Sequence, residues 1–220
     1  MTTTSRRVLV IVPFAMSADN LLLRQQQLAG LSFGPGIEFV YRPVKAGPVN
    51  YASHHDFVLA DAANFEAGCH AQAEGFDAVC IDTMSDSGVA ALRSVLDIPV
   101  FGPGKISMLT ALMLGDRFSI LTMASRWKPL YKKALDELGL HHKCASVRAI
   151  EVPPDNQALL SGKEEEVFPL LEAAGHQIAV ALLGAGLTHS RVGYPKPMHP
   201  RLEMLEAMLA AGQASSSAGG

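Results

Sequence analysis

Two short stretches combine residue types that can hold and polarise a small polar molecule. The first is Asp82-Thr83-Met84-Ser85-Asp86-Ser87-Gly88. It follows an apolar run and precedes a helical pattern that begins near Val89. Small hydroxyl residues and free backbone amides at such a junction form a seat for a carboxylate or phosphate. A plainer reading stands beside this one, in which Asp86 or Ser87 only caps the helix that follows. The second stretch is Gly184-Ala185-Gly186-Leu187-Thr188-His189. Its glycines allow a ligand to approach the backbone closely. His189 is a side chain able to take or give a proton near neutral pH, or is simply a surface or capping histidine. The third glycine of a dinucleotide fingerprint is missing here, which disfavours a nucleotide.

A third polar segment runs from Gly47 to Asp56 and holds Asn50, Ser53, His54 and His55. Adjacent histidines cannot both face one metal from a helix, and no second histidine lies four residues from either, so no metal site is expected. Ser53 reads as a helix cap. The three cysteines, Cys69, Cys80 and Cys144, are too few and too scattered for a disulfide framework or a zinc site. Cys80 sits inside an apolar run and reads as a small core residue. None of the three has neighbours that clearly lower a thiol pKa.

These residues need elements to position them. Short β-branched runs occur at Val8–Val12, Ala78–Ile81, Ile98–Phe101, Phe118–Thr122, Val147–Val152 and Ile178–Leu183. They read as buried parallel strands. Helix formers fill 21–31, 56–74, 89–96, 128–138, 164–177 and 201–211. Strands alternating with helices predict an α/β fold with parallel sheets. A weak internal echo pairs FDAVCIDTMSDSG with QIAVALLGAGLTH, and RRVLVIVPFA with DRFSILTMAS. The expectation is therefore two similar Rossmann-like lobes, 1–100 and 101–197, with a cleft between them. A helix over 198–212 would return to the first lobe, and 213–220, of Ala, Ser, Gly and Gln only, would be a flexible tail. Ligands in open α/β sheets sit at the carboxyl ends of the strands, where both candidate loops fall.

Composition narrows the function. The chain has 220 residues, 49% hydrophobic and 18% charged, which is globular. Lys and Arg number 18 against 21 Asp and Glu, a net charge of −3, which disfavours nucleic acid as a partner. No apolar run approaches the roughly 18 residues of a membrane span, and no signal-type segment is seen at the start. A cytoplasmic protein that binds a small molecule, without membrane or nucleic-acid partners, is the expectation; homo-oligomers are also expected, on grounds other than composition.

Taken together, the VIVPFA strand end, GPVNYASHHD, FDAVCIDTMSDSGVAALRSVLDIPVFGPG, GDRFSILTMASRWKPLYKKALDELGL and ALLGAGLT resemble the Asp/Glu/hydantoin racemase superfamily, most closely its hydantoin (allantoin) racemase branch. The resemblance runs from about Val8 to Arg191. It implies two α/β lobes and a cofactor-free, two-base mechanism in which one thiolate removes an α-proton and an opposite thiol returns one. The family motif resembling ACFSDPG reads DTMSDSG here, so Thr83 stands where the first cysteine would be. The motif resembling LGCAGM reads LLGAGL, so Gly184 stands where the second would be. Phe14, Tyr51 and Ala52 also depart from the family pattern. A hydroxyl is a far weaker acid than a thiol, and two-thiol racemisation is not expected. A decarboxylase branch of the superfamily keeps one cysteine and binds a carboxylate among hydroxyls and amides; Ser85 falls where such a hydroxyl would lie.

The resemblance implies an isomerase or lyase acting on a small carboxylate or cyclic amide, with Thr83, Asp82 and His189 as catalytic candidates. Pro13, Asn50, Ser85, Asp86, Thr122, Gly184, Gly186 and Thr188 are the substrate-binding candidates. A hydrolase on the same scaffold, a racemase using other residues, and a non-catalytic metabolite binder are the alternatives.

Overall fold

The computed structural model describes residues 5–26, 36–49 and 51–151. Strand β1 (Arg6–Val12) sits centrally, and its period-2 alternation sends neighbouring side chains to opposite faces. Leu9 and Ile11 join one core cluster, whereas Val10 and Val12 join another with Tyr41. A strand buried on both faces must be apolar throughout, which is why the run is so continuous.

Helix α1 (Ala18–Gln26) brings Leu21 onto the Val10 face. Strand β2 (Ile37–Pro43) pairs with β1 in parallel, Val10 opposite Tyr41. Helix α2 (His54–Gly68) covers the Leu9 face with Ala67. Strand β3 (Ala78–Ile81) pairs with the other edge of β1. Helix α3 (Val89–Arg93) and the two-residue strand β4 (Val100–Phe101) complete this unit, whose sheet order is β2-β1-β3-β4, all parallel.

Helix α4 (Pro103–Leu114) leads to a second parallel sheet formed by β5 (Phe118–Thr122) and β6 (Cys144–Ala149), with α5 (Lys128–Leu138) as the crossover. One apolar cluster ties the two sheets' surroundings together. It joins Tyr51, Phe57 of α2, Met84, Met108 of α4, Phe118 and Ile120 of β5, and Leu130 of α5.

The α/β class with parallel sheets is the one anticipated from the strand–helix alternation. Several boundaries differ. Strand β2 was not anticipated, because Glu38 and Arg42 interrupt its apolar character. Helix α4 was missed because Gly102-Pro103-Gly104 reads as a loop; Pro103 in fact occupies the first turn, where its missing N–H costs nothing. The 56–74 helix stops at Gly68, and turns through Gly75, whose φ is 80°, return the chain to β3. The 89–96 helix ends at Arg93. Strand β6 lies at 144–149 rather than 147–152, with Ser146 and Ser119 hydroxyls bonded across the pair at 3.0 Å. Helix α1 starts at Ala18 rather than Leu21. The strand at 178–183, the helices at 164–177 and 198–212 and the 213–220 tail lie outside the described residues, as does the 152–197 part of the 101–197 lobe.

Candidate functional site

The strand pleat decides where the first candidate loop points. Val79 and Ile81 face the α2 side, so Cys80 and then Asp82 face α1. Asp82 meets Arg24 there: Nε donates to Oδ2 at 3.0 Å, and Nη2 donates to the same oxygen. Both side chains are buried, at 8% and 7% exposure. A carboxylate so placed is held by a fixed cation, and this partnership argues against the free proton carrier that Asp82 was expected to be.

Thr83, Ser85 and Ser87 face the other way and form a buried hydroxyl cluster. Ser87 Oγ donates to Ser85 Oγ at 2.8 Å, and the Ser87 N–H donates to the same oxygen at 3.3 Å. Thr83 Oγ1 lies 3.4 Å from Ser85 Oγ. Ser85 therefore accepts twice, and its own proton is available to Thr83 or to a ligand.

Two residues of α2 fasten the end of the loop. Asn64, fully buried, donates from Nδ2 to Ser87 O at 3.0 Å. Asp61 Oδ1 accepts from the Gly88 N–H at 2.8 Å. Gly88 has φ of 85°, a conformation that favours glycine. Sequence reasoning missed both α2 residues, since nothing local links 61 and 64 to 87 and 88.

Asp86 does not cap α3. The residue before α3 is Gly88, with no side-chain cap. Instead the Asp86 carboxylate reaches α4 and accepts from Gly104 N at 2.8 Å and Lys105 N at 2.7 Å. The expected capping is present, but on a helix 18 residues away. Burial pushes its pKa above the ordinary value, opposed by those two amide bonds. Behind it a cleft of about 530 Å³ is lined by Asp61, Asp86, Arg93, Lys105, Lys133 and Glu137. The charges there are largely spoken for: Lys133 pairs with Glu137 at 2.6 Å, and Arg93 donates to Val100 O.

Pro13 is buried at the end of β1, and its carbonyl accepts from the Tyr51 hydroxyl at 3.1 Å. Burial drives the Tyr51 pKa far up, with Asp61 and Asp56 adding to it, so the phenol keeps its proton. Phe14 packs edge-on against Tyr51. Ser53 caps α2 as expected, in a reciprocal box with Asp56. Thr122 ends β5, fully buried; its Oγ1 has no well-formed hydrogen bond among the described residues, and the buried Tyr131 phenol is its neighbour. The loop and β5 share one core, since Met84 and Ile120 lie in the same cluster. Asn50, Gly184, Gly186, Thr188 and His189 lie outside the described residues.

Among the described residues there is no group of three or more His, Cys, Asp or Glu side chains suited to a metal ion, and no helix long and apolar enough to cross a membrane. Among the described residues no two cysteines pair in a disulfide, and burial pushes the Cys144 thiol pKa up.

The chain is similar to known proteins. A hydantoin racemase of Pseudomonas sp. (strain NS671) is 33% identical over 104 residues, 47% of this chain and 42% of that protein. A hydantoin racemase of Rhizobium meliloti is 29% identical over 160 residues, 66% of this chain and 65% of that protein. The matched segments thus span less than two thirds of either relative. The structure of an allantoin racemase from Klebsiella pneumoniae superposes with a TM-score of 0.70 at 23% identity, covering 94% of this chain and 89% of that one, a likeness of fold. The family model for Asp/Glu/Hydantoin racemase matches residues 22–186, which takes in the hydroxyl loop, its α2 and α4 supports, and the sequence Gly184-Ala185-Gly186. The chain belongs to the Asp/Glu/hydantoin racemase family.

Proposed function

We propose that this protein is a cofactor-independent isomerase or lyase acting on a small carboxylate or a cyclic amide of the hydantoin type, by chemistry that does not run through paired thiols. One observation carries the reading. The Thr83 hydroxyl belongs to a buried cluster with Ser85 and Ser87 at the carboxyl end of β3, at the position where the sequence resemblance puts the family's first cysteine. The relatives' names, hydantoin racemase and allantoin racemase, supply the substrate class.

In this reading the cluster binds and polarises rather than abstracts. A threonine hydroxyl does not ionise near neutral pH, so Thr83 donates a hydrogen bond to a ligand oxygen. Ser85 passes its free proton the same way. As charge develops on that oxygen during loss of an α-proton or of CO2, preplaced donors stabilise it more than they do the ground state. Asp82 acts through position: held by Arg24, it fixes the start of the loop. Proton transfer is assigned to His189, with Thr188, Gly184 and Gly186 completing the substrate seat. Pro13, Asn50 and Thr122 line its edges. The protein is taken to work in the cytoplasm as a homo-oligomer.

The test is hydrogen exchange at carbon. Each enantiomer of allantoin and of 5-methylhydantoin is incubated with the protein in D2O, and the ring C–H is followed by proton NMR alongside optical rotation. Phenylmalonate is assayed in parallel for CO2 release. Enzyme-dependent loss of the C–H signal, or of CO2, supports the reading. Binding without either would instead favour a metabolite-binding protein.

A further inference from the structure

We infer that Asp86 is a positioning residue: it clamps the Thr83–Ser87 hydroxyl cluster onto the first turn of α4, and Gly102 and Gly104 are the notch that receives it. The inference rests on the reading of loop 83–87 as the ligand seat, but the clamp itself is tested independently of any ligand.

Four observations meet at this point. The Asp86 carboxylate takes both of the free amides of Gly104 and Lys105, at 2.8 and 2.7 Å, at a helix with no cap of its own. These are the donors that would otherwise attract an anionic ligand. Asp86 also holds a backbone φ of 51°, a conformation uncommon outside glycine and one that aspartate tolerates better than most residues. The notch has the matching shape. A Cβ placed on Gly102 would find only Asp86 as its nearest neighbours, with the Asp86 Cβ at 2.9 Å. A Cβ on Gly104 would stand 3.0 Å from both carboxylate oxygens and closer still to Met84 O. Gly102 itself has φ of −131° and ψ of 139°, which any residue adopts. Its lack of a side chain is therefore required by Asp86 and not by its backbone.

The clamp lies between the cluster and α4. Ser85 and Ser87 flank Asp86 in the chain, and α2 holds Ser87 and Gly88 from the other side through Asn64 and Asp61. The loop is thus gripped from two helices. Removing the α4 grip leaves Ser85 and Ser87 anchored on one side only. This assigns SDSG and FGPG, whose last glycines, Gly88 and Gly104, lie 16 residues apart, to one device.

Amide hydrogen exchange by NMR tests it in the full chain, with Asp86→Gly, Asp86→Asn and Gly102→Ala. Asp86→Gly suits the positive φ and removes the carboxylate. Exchange should accelerate by about tenfold or more at Gly104 and Lys105, and also at Ser87 and Gly88, as loss of charge-assisted bonds implies. Gly102→Ala should reproduce that pattern with Asp86 still present, and add little in the Asp86→Gly background. Asp86→Asn, which keeps an acceptor, should restore part of the protection at Ser87. Acceleration confined to Gly104 and Lys105 would make Asp86 a plain helix cap and overturn the proposal, whether or not a variant binds ligand. Titration with allantoin gives the second readout: where the parent protein binds it, Asp86→Gly should weaken binding by about tenfold. A parent protein that binds no allantoin would count against the proposed function, and the exchange result would still decide the clamp.

Discussion

Arg24 Nε stands 3.0 Å from Asp82 Oδ2, joining α1 to the residue that precedes Thr83. Both groups are buried, so each charge helps to offset the cost of burying the other. Arg24→Met should therefore destabilise the fold by about 3–5 kcal/mol, because it takes a buried cation away from a buried carboxylate. Replacing both partners, Arg24→Met with Asp82→Leu, should cost clearly less than the single change. Urea denaturation of the two variants checks this. Equal losses would mean that the pair contributes no mutual support.

Gly88 carries a second prediction. Its φ is 85°, and an added Cβ would stand 2.8 Å from Asn64 Cβ and 3.3 Å from Phe65 N. Gly88→Ala combines backbone strain with a collision against α2. The expected loss is about 2 kcal/mol or more, read from thermal or urea unfolding. A change within about 0.5 kcal/mol, the size of an ordinary surface substitution, would show that the loop is not pinned to α2 as described.

The α2 cap sets a pH dependence. The Ala52 amide above all, with Ser53, holds the Asp56 carboxyl below its ordinary pKa. A depressed folded-state pKa adds stability above the unfolded value and loses it as pH falls through the folded one. The advantage of the parent protein over Asp56→Ala should thus be full at neutral pH and fade below about pH 4. Ser53→Ala should cost about 1 kcal/mol at neutral pH. Unfolding midpoints measured across pH test both, and a difference that grew on acidification would contradict the assignment.

Much of the frame could be read from the chain. Phe118–Thr122 and Ala78–Ile81 have the boundaries expected from their apolar runs, and Lys128–Leu138 those expected from its helix formers, with Leu130, Tyr131, Ala134 and Leu135 at the spacing of one buried helix face. Strand β2 and helix α4 escaped notice for opposite reasons. Glu38 and Arg42 are tolerated because β2 has β1 on one side only in its sheet. Helix α4 opens with a motif that elsewhere means a turn. In the site, the hydroxyl loop was legible as a strand-end segment, and Ser53 as a cap. The partners of Asp82 and Asp86 were not. Arg24 is 58 residues from Asp82, and the α4 amides 18 and 19 from Asp86, distances at which no local pattern reports a contact.

The proposed chemistry uses the hydroxyl loop and no thiol. Carbon–hydrogen exchange of enantiopure 5-methylhydantoin or allantoin in D2O tests it, compared between a variant with Cys69, Cys80 and Cys144 all changed to Ser and the single variant Thr83→Val. The cysteine-free protein should keep most of the parent rate, while Thr83→Val should lose most of it with its fold intact. A cysteine-free protein without exchange beside a fully active Thr83→Val would contradict it, and would place a thiol at the reacting carbon.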